Sequence, residues 1–360
     1  MKTPAAEISV NGKPVASLFN ERLISVTVTD KEGVTSDTVS CELNDGNPFA
    51  DIPRKGDIIT VSLGYLETGV LPFGSFVADD PEVHCLPYKL VVNGKGTDMR
   101  AKPKQHGARH WDDAKVEDIL KDIAKNHGWQ TRIDPRVAGY KYAWFGQEDE
   151  SDIHVVERLA RRHGALFQVK NGVLIFAKKG SGQTAGGAGL TAVIASPFNI
   201  VEGTCRTTFA HRNSFSKVKA HAQDRKTAGR KEVEAKSDPN GSADYTLPEP
   251  YADEDEAKNA AEAKAKDLKA ATIKTSVELF GDPTVRAGAP FHYEDVRPQL
   301  DDIEFIIESA THTINKQSYK TAVEAKLGGD DEEGEDGSSD SGGASAPNNS
   351  AGDVGGGNVA

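Results

Sequence analysis

From Glu7 to about Gly96, large apolar and polar residues alternate in short runs such as Leu23–Thr29 and Val39–Leu43, the period of half-buried strands. Asn11-Gly12 and Asn93-Gly94 are tight-hairpin signals, and five or six strands at this spacing predict a small barrel or sandwich. Near Lys104 the period lengthens. Val116, Ile119, Leu120, Ile123, Ala124 and His127 fall on one face of a helix that Gly128 closes. A second helix starts at Ser151 as N-cap, carries Ile153, Val156, Leu159, Ala160 and His163, and stops at Gly164. It leads into two strands, Ala165–Phe176, around an Asn171-Gly172 turn.

Gly180–Gly189 reads as a flexible joint. Strand patterns return at Ser216–Ala222 and Arg230–Ala235, a hairpin with a long polar loop. Asp253–Ala271 is an alanine-rich helix whose shallow stripe of Ala257, Ala260, Ala261, Ala265 and Leu268 is expected to lie close against a second β module. Four strands follow at about 273–280, 290–296, 303–309 and 318–326. After Leu327 the chain is acidic and rich in Gly, Ser, Asn and Pro, a composition that cannot bury a core and predicts disorder. The expected class is α+β, with β modules at 1–104 and 197–327, an α/β unit at 105–179, a linker at 180–196 and a tail at 328–360.

The two β modules resemble each other. Pro53–Val61 aligns with Val285–Tyr293, each an Arg followed two residues on by a turn glycine, Gly56 or Gly288, and then a strand. Phe76, His84 and Tyr88–Val92 are followed in the same order by Phe305, His312 and Tyr319–Val323. Such duplication lets a ring carry twice as many units as it has subunits.

Composition narrows the function. The chain of 360 residues is long enough for two or three domains, has no apolar run of membrane-spanning length and shows no signal-peptide core at its start, so synthesis and first assembly are expected in a cytoplasm. Of the net charge of −12, eight acidic residues lie from Gly328 onward with no basic one, leaving a body near −4 with no basic nucleic-acid footprint. Cys41, Cys85 and Cys205 lack paired spacing and read as small buried apolar residues.

Candidate chemistry is thin. His106, His110, Asp112 and Asp113 have a spacing that a helical metal site could use, but Gly107 intervenes and either aspartate serves better as a helix cap. Gly180-Ser181-Gly182 precedes no helix that could hold a phosphate. Asp79-Asp80 and Asp301-Asp302 read as solvated turn carboxylates, His84 and His312 as matched, partly buried strand-end positions, and Trp111, Trp129 and Trp144 as core rather than a sugar-binding platform. No nucleophile elbow is present. These residues propose no catalytic, metal or cofactor site.

Glu150–Ile153 with Arg158–Phe167 and Asn171–Phe176 resembles the middle signature of the phage late control gene D proteins. Ala257–Leu268, Val277–Pro283, Arg286–Gly288, Phe305–His312 and Tyr319–Val323 resemble its closing signature, and Pro53–Tyr65 its first barrel. The family comprises baseplate hub proteins of contractile-tailed phages, with relatives in the first half of type VI secretion spike proteins. The resemblance implies two tube-like antiparallel β-barrel domains per chain and a homotrimer whose six barrels join a hexameric tail tube to a trimeric central spike protein. Contacts with other baseplate proteins and the tape measure protein are also implied, in the virion, without catalysis or cofactor. No β-helical needle follows Leu327, so a spike would be a separate chain. The alternatives are a tail-borne cell-wall hydrolase and a secreted carbohydrate-binding module.

Overall fold

The computed structural model describes residues 2–15, 21–33, 36–96, 105–170, 172–179, 189–210, 214–223 and 229–328. The expected 180–188 stretch of the linker, Asn171 and the acidic tail beyond Gly328 lie outside the described residues. The first module contains β1 (Pro4–Val10), β2 (Lys13–Pro14), β3 (Leu23–Lys31), β4 (Thr38–Asn44), β5 (Ile58–Tyr65), β6 (Gly69–His84) and β7 (Lys89–Gly96), hydrogen-bonded in the order β3-β4-β7-β6-β5-β1-β2. Asn11 and Gly12 both take positive φ between β1 and β2, the turn that their sequence favours. Asn93-Gly94 instead lies inside β7. A Cβ on Gly94 would stand 2.8 Å from Val39 Cγ1 and 3.0 Å from Phe76 Cβ, so the glycine allows close packing and makes no turn there.

The middle unit holds β8 (His106–Lys115), α1 (Val116–His127), β9 (Gln130–Ile133), α2 (Pro135–Ala138), β10 (Lys141–Ser151), α3 (Asp152–Arg162), β11 (Ala165–Lys170) and β12 (Val173–Lys178). Both long helices follow their apolar stripes, and Gly128 ends α1 at φ 70° with its N–H on Lys125 C=O. Ser151 Oγ accepts the His154 N–H at 3.3 Å as the expected N-cap of α3. The cap of α1 differs from expectation: Asp118 accepts the Lys115 N–H, while Asp112 and Asp113 lie in β8. This unit has its own core, built around Ile119, Leu120, Leu159, Phe167 and Phe176.

The remainder comprises β13 (Val193–Ala195), β14 (Arg206–Phe209), β15 (Phe215–Gln223), β16 (Arg230–Lys236), β17 (Ala243–Tyr251), α4 (Glu254–Ala270), β18 (Ile273–Phe280), β19 (Pro290–Tyr293), α5 (Pro298–Asp301), β20 (Phe305–Asn315) and β21 (Tyr319–Leu327). The shallow alanine stripe of α4 packs on a small sheet, β16-β15-β17, in a core of Val218, Ala220, Ala222, Ala235, Tyr251 and its own alanines. β14, β18, β21, β20, β19 and β13 surround a further core of Phe291, Tyr293, Phe305, Ile307 and Val323.

The internal repeat holds in its hydrogen-bond register. Pairing in the first module runs β3-β4-β7-β6-β5-β1, and in the second β14-β18-β21-β20-β19-β13. Ile59 faces Phe76 as Phe291 faces Phe305. Gly56, at φ 104°, donates its N–H to Ala78 C=O at 3.1 Å, and Gly288, at φ 83°, donates to Ile307 C=O at 2.8 Å. The ladder between β6 and β7 slips by one residue after Asp79, and the ladder between β20 and β21 slips after Ile307. Lys89 bonds Glu42 at 2.9 Å in the first module, as Lys320 bonds Glu278 at 2.8 Å in the second. The outermost strands differ, since β1 runs antiparallel to β5 and β13 parallel to β19, and β13 corrects the expected linker at 180–196, because Val193 and Ala195 are buried in the second module's core.

Two expectations about the paired modules also need correction. His84 and His312 are not equivalent: His84 faces Lys89, whereas His312 faces Thr321, the counterpart of Leu90. This one-residue offset puts them on opposite faces, so that His312 is fully buried and His84 exposed. Nor do two separate closed barrels appear. The strands of both modules pair in one continuous sheet through β3 and β20, and no pairing among the described residues closes either module on itself.

Replacing Gly94 by Ala forces its methyl group against Val39 and Phe76. The expected loss, about 1–3 kcal/mol on urea unfolding, is that of an overpacked core; an unchanged midpoint would contradict the tight packing assigned to this position.

Candidate functional site: the join between the two β modules

β20 extends to Asn315, beyond the expected end of that strand, and its added length carries the join. Ser309–Asn315 pair antiparallel with Lys31–Ser25, so each module supplies an edge strand that completes the other. On one face Thr27 meets Thr313 at 3.4 Å and Thr29 meets Thr311 at 3.3 Å between hydroxyl oxygens. On the other, Val26 and Val28 lie across from Ile314 and His312, all four buried. Ile314 and Tyr319 thereby enter the core of the first module.

The β5–β6 hairpin caps this face. Tyr65 donates its hydroxyl to Gly281 C=O at 2.7 Å, and Phe73 sets its edge against His312 at 4.6 Å. The Arg286 guanidinium covers Phe73 at 4.0 Å and donates to Pro283 C=O and Val285 C=O, both at 2.8 Å. His312 Nε2 lies 3.2 Å from Val285 C=O, which can only accept, so the neutral ring carries its proton there and Nδ1 accepts from Tyr319 Oη at 2.9 Å. Burial, with the Arg286 charge beside it, pushes His312 down to about 4. It is a locked structural imidazole.

The third unit reaches the join at Asp30. One carboxylate oxygen of Asp30 accepts from Lys170 Nζ at 2.8 Å and the other from the Ala287 N–H at 3.1 Å, tying the first module to β11 and to the second module. Lys170 also bonds Asp37 at 3.0 Å, and Gln168 donates to Lys31 C=O at 2.9 Å. Two carboxylates thus share one ammonium. Burial pushes Asp37 up to about 6 even though Lys170 opposes it, and the Asp30 charge adds to the rise. A second buried tie links α4 to the middle unit: Glu256, fully buried, accepts from Tyr142 Oη and Arg162 Nη1 at 2.8 Å each, and from the Ala252 N–H at 2.8 Å.

The other sequence candidates stay dispersed. His106 and His110 lie on the strand β8, each beside one exposed carboxylate, Asp149 or Asp112. Among the described residues no group of three or more His, Cys, Asp or Glu side chains could hold a metal ion. Asp79 pairs with Lys55 and Lys95, Asp80 pairs with Lys55, and Asp301 accepts the Val296 and Arg297 N–H groups at the start of α5. Trp111 and Trp129 pack on the middle core, but Trp144 is 46% exposed beside Gly146, contrary to its expected place in the core. Of the cysteines only Cys41 is buried; Cys85 and Cys205 are exposed, also contrary to expectation. The join itself leaves no local mark in the sequence; the shared Ser-x-Glu-Leu of Ser40–Leu43 and Ser276–Leu279, at equivalent positions of β4 and β18, marks the duplication only.

The family model for the phage tail baseplate hub (GPD) matches residues 74–318. The chain belongs to this baseplate hub family. A probable baseplate hub protein of Escherichia phage 186 is 26% identical over 90% of this chain and 93% of its own length. Its counterpart in Escherichia phage P2 is 25% identical with the same coverage. A tail protein from Neisseria meningitidis MC58 has the same fold at TM-score 0.69 and 11% identity, covering 90% of this chain and 96% of that one. The 43 kDa tail protein of prophage MuSo2 from Shewanella oneidensis aligns at TM-score 0.66 and 15% identity over 90% and 98% of the two chains. The E. coli c3393 protein, described as a type VI secretion component with similarity to phage T4 tail proteins gp27 and gp5, aligns at TM-score 0.56 and 10% identity over 90% and 77%. The hub protein's place is the baseplate of the virion, and its role there is structural.

Within the hub protein, the Asp37 proton gives a pH signature. The folded chain binds it below about pH 6, the unfolded chain only below the ordinary 3.8, so the ionised carboxyl weakens the fold above pH 6 and the penalty fades as pH falls. Asp37→Asn should therefore be more stable than the parent by about 1–2 kcal/mol at pH 8, a figure discounted for its lost ion pair, with the difference shrinking toward zero near pH 4. Denaturant melts across this range check it; a pH-independent difference would contradict the burial of Asp37.

Proposed function

We propose that three copies of this hub protein close a ring in which the modules at 1–104 and 197–327 act as six tube-like units. One side of the ring meets a hexameric tail tube and the other a trimeric central spike protein of a contractile tail. The observation that carries this reading is the duplication within one chain: two modules with the same strand order are already joined edge to edge, so three chains supply six similar units in a three-fold particle. The α/β unit at 105–179 braces the join through Lys170 and Gln168. Other baseplate proteins and the tape measure protein contact the outer and upper faces, and the ring is assembled in the host cytoplasm. The work is geometric, and it requires no cofactor, catalytic residue, specific nucleic-acid contact or integral membrane segment. A near-neutral body suits a channel through which DNA passes without sticking.

Native mass spectrometry of the purified chain is expected to show a three-chain particle; a monomer at every concentration would contradict the ring. The acidic segment after Leu327 lacks apolar surface with which to hold subunits together, so a chain ending at Leu327 is expected to keep the three-chain mass. Loss of that mass on truncation would give the tail an assembly role.

A further inference from the structure

We infer that the β3–β20 join is repeated between copies of the chain, with β14 of one copy pairing with the end of β6 of the next in the register that places Cys205 opposite Cys85. The inference rests on the ring reading above and specifies its subunit contact. Within the chain, the second half of β20 gains β3 on the edge that β19 leaves open. The equivalent edge of β6, beyond its last β5 partner at Val77, has no strand partner among the described residues. β14 holds the place of β3 and, among the described residues, ends the sheet with β18 as its one strand partner. One module therefore lacks a neighbour at β6, and the other at β14. The missing neighbours are each other.

The repeat fixes the register. Thr208 faces Lys274 as Thr29 faces Thr38, and Lys274 faces Lys326 as Thr38 faces Lys95. On the partner strand, Glu82 faces Val91 as Thr311 faces Ala322. Carried between copies, Thr29–Thr311 becomes Thr208–Glu82, Val28–His312 becomes Thr207–Val83, and Thr27–Thr313 becomes Arg206–His84. Carried one residue past the start of β14 and the end of β6, the register turns Val26–Ile314, buried inside the chain, into Cys205–Cys85.

The surface fits a missing neighbour. Val83 is 47% exposed although its counterpart His312 is fully buried. Phe209 is 49% exposed next to the edge. Cys85 and Cys205 are exposed where Ile314 and Val26 are sealed. On the opposite face Arg206 would stand across from His84 and diagonal to Glu82, a complementary charge contact. Pro81 holds the place of Ala310 and offers no N–H, so the intermolecular ladder has one donor fewer than the intrachain one and is anchored from Val83 onward. Such a contact joins two different edges, so it is heterologous, the kind of contact that a closed three-copy ring repeats. Opposed residues of an antiparallel pair lie about 5.5 Å apart or closer at Cα, within reach of a short bis-maleimide.

The test uses the full-length chain. Light scattering gives its mass, and the same sample is treated with a short bis-maleimide and run on a denaturing gel. Linked dimers and trimers are expected. Cys41 is buried and stays out of the reaction. Cys85→Ser alone and Cys205→Ser alone should give no link, whereas co-expression of the two variants should restore a linked dimer, because the contact takes one cysteine from each edge. A three-chain mass without linkage, or linkage that survives in either single variant, overturns this register and leaves the ring reading standing. A monomer without linkage overturns both.

Discussion

An unpaired strand edge is the constraint on which this structure depends. A β module with an open edge exposes backbone donors and acceptors that water or another strand must satisfy. In this chain β20 is long enough for its second half to outlast β19, and β3 fills the vacancy. The two modules thereby become one sheet, and Ile314 and Tyr319 of the second are packed into the core of the first. Everything else at the join protects that pairing. The threonine pairs line one face, the Tyr65–Phe73 hairpin tip covers the other, and Lys170 brings the middle unit against the end of β3.

The ionisable groups at the join fit a structural role. His312 is neutral, enclosed and hydrogen-bonded at both nitrogens, and Asp30 is shared among three parts of the chain. A group held this way cannot move to meet a substrate, and the lowered proton affinity of His312 follows from burial. Lys170 offsets only part of the cost of burying Asp37, whereas Glu256 is held by Arg162 and Tyr142, and both carboxyls act as registration points between units.

Much of the fold was legible in the sequence. The helical stripe from Val116 to His127, the Ser151 cap and the Asn11-Gly12 turn are local signals, and local physics decided them. The duplication was legible through Gly56 and Gly288 because a left-handed turn glycine is hard to replace. Three things were not legible, each for the same reason. Asn93-Gly94 carries a turn signature, yet its glycine exists to let Val39 and Phe76 approach. His84 and His312 align by letter, but a one-residue offset in pairing turns one outward. The extension of β20 depends on β3, almost three hundred residues away in the sequence. Tertiary partners decide all three, and no local window contains them.

The account claims that one chain holds two equivalent ring units, joined by a pairing that three copies repeat. Image averages of the purified full-length protein by electron cryomicroscopy test this most directly. The account predicts a closed ring of six similar lobes that alternate in detail, so that true symmetry is three-fold. Isolated single particles, or a ring with only three lobes and no internal pairing of similar units, would contradict it.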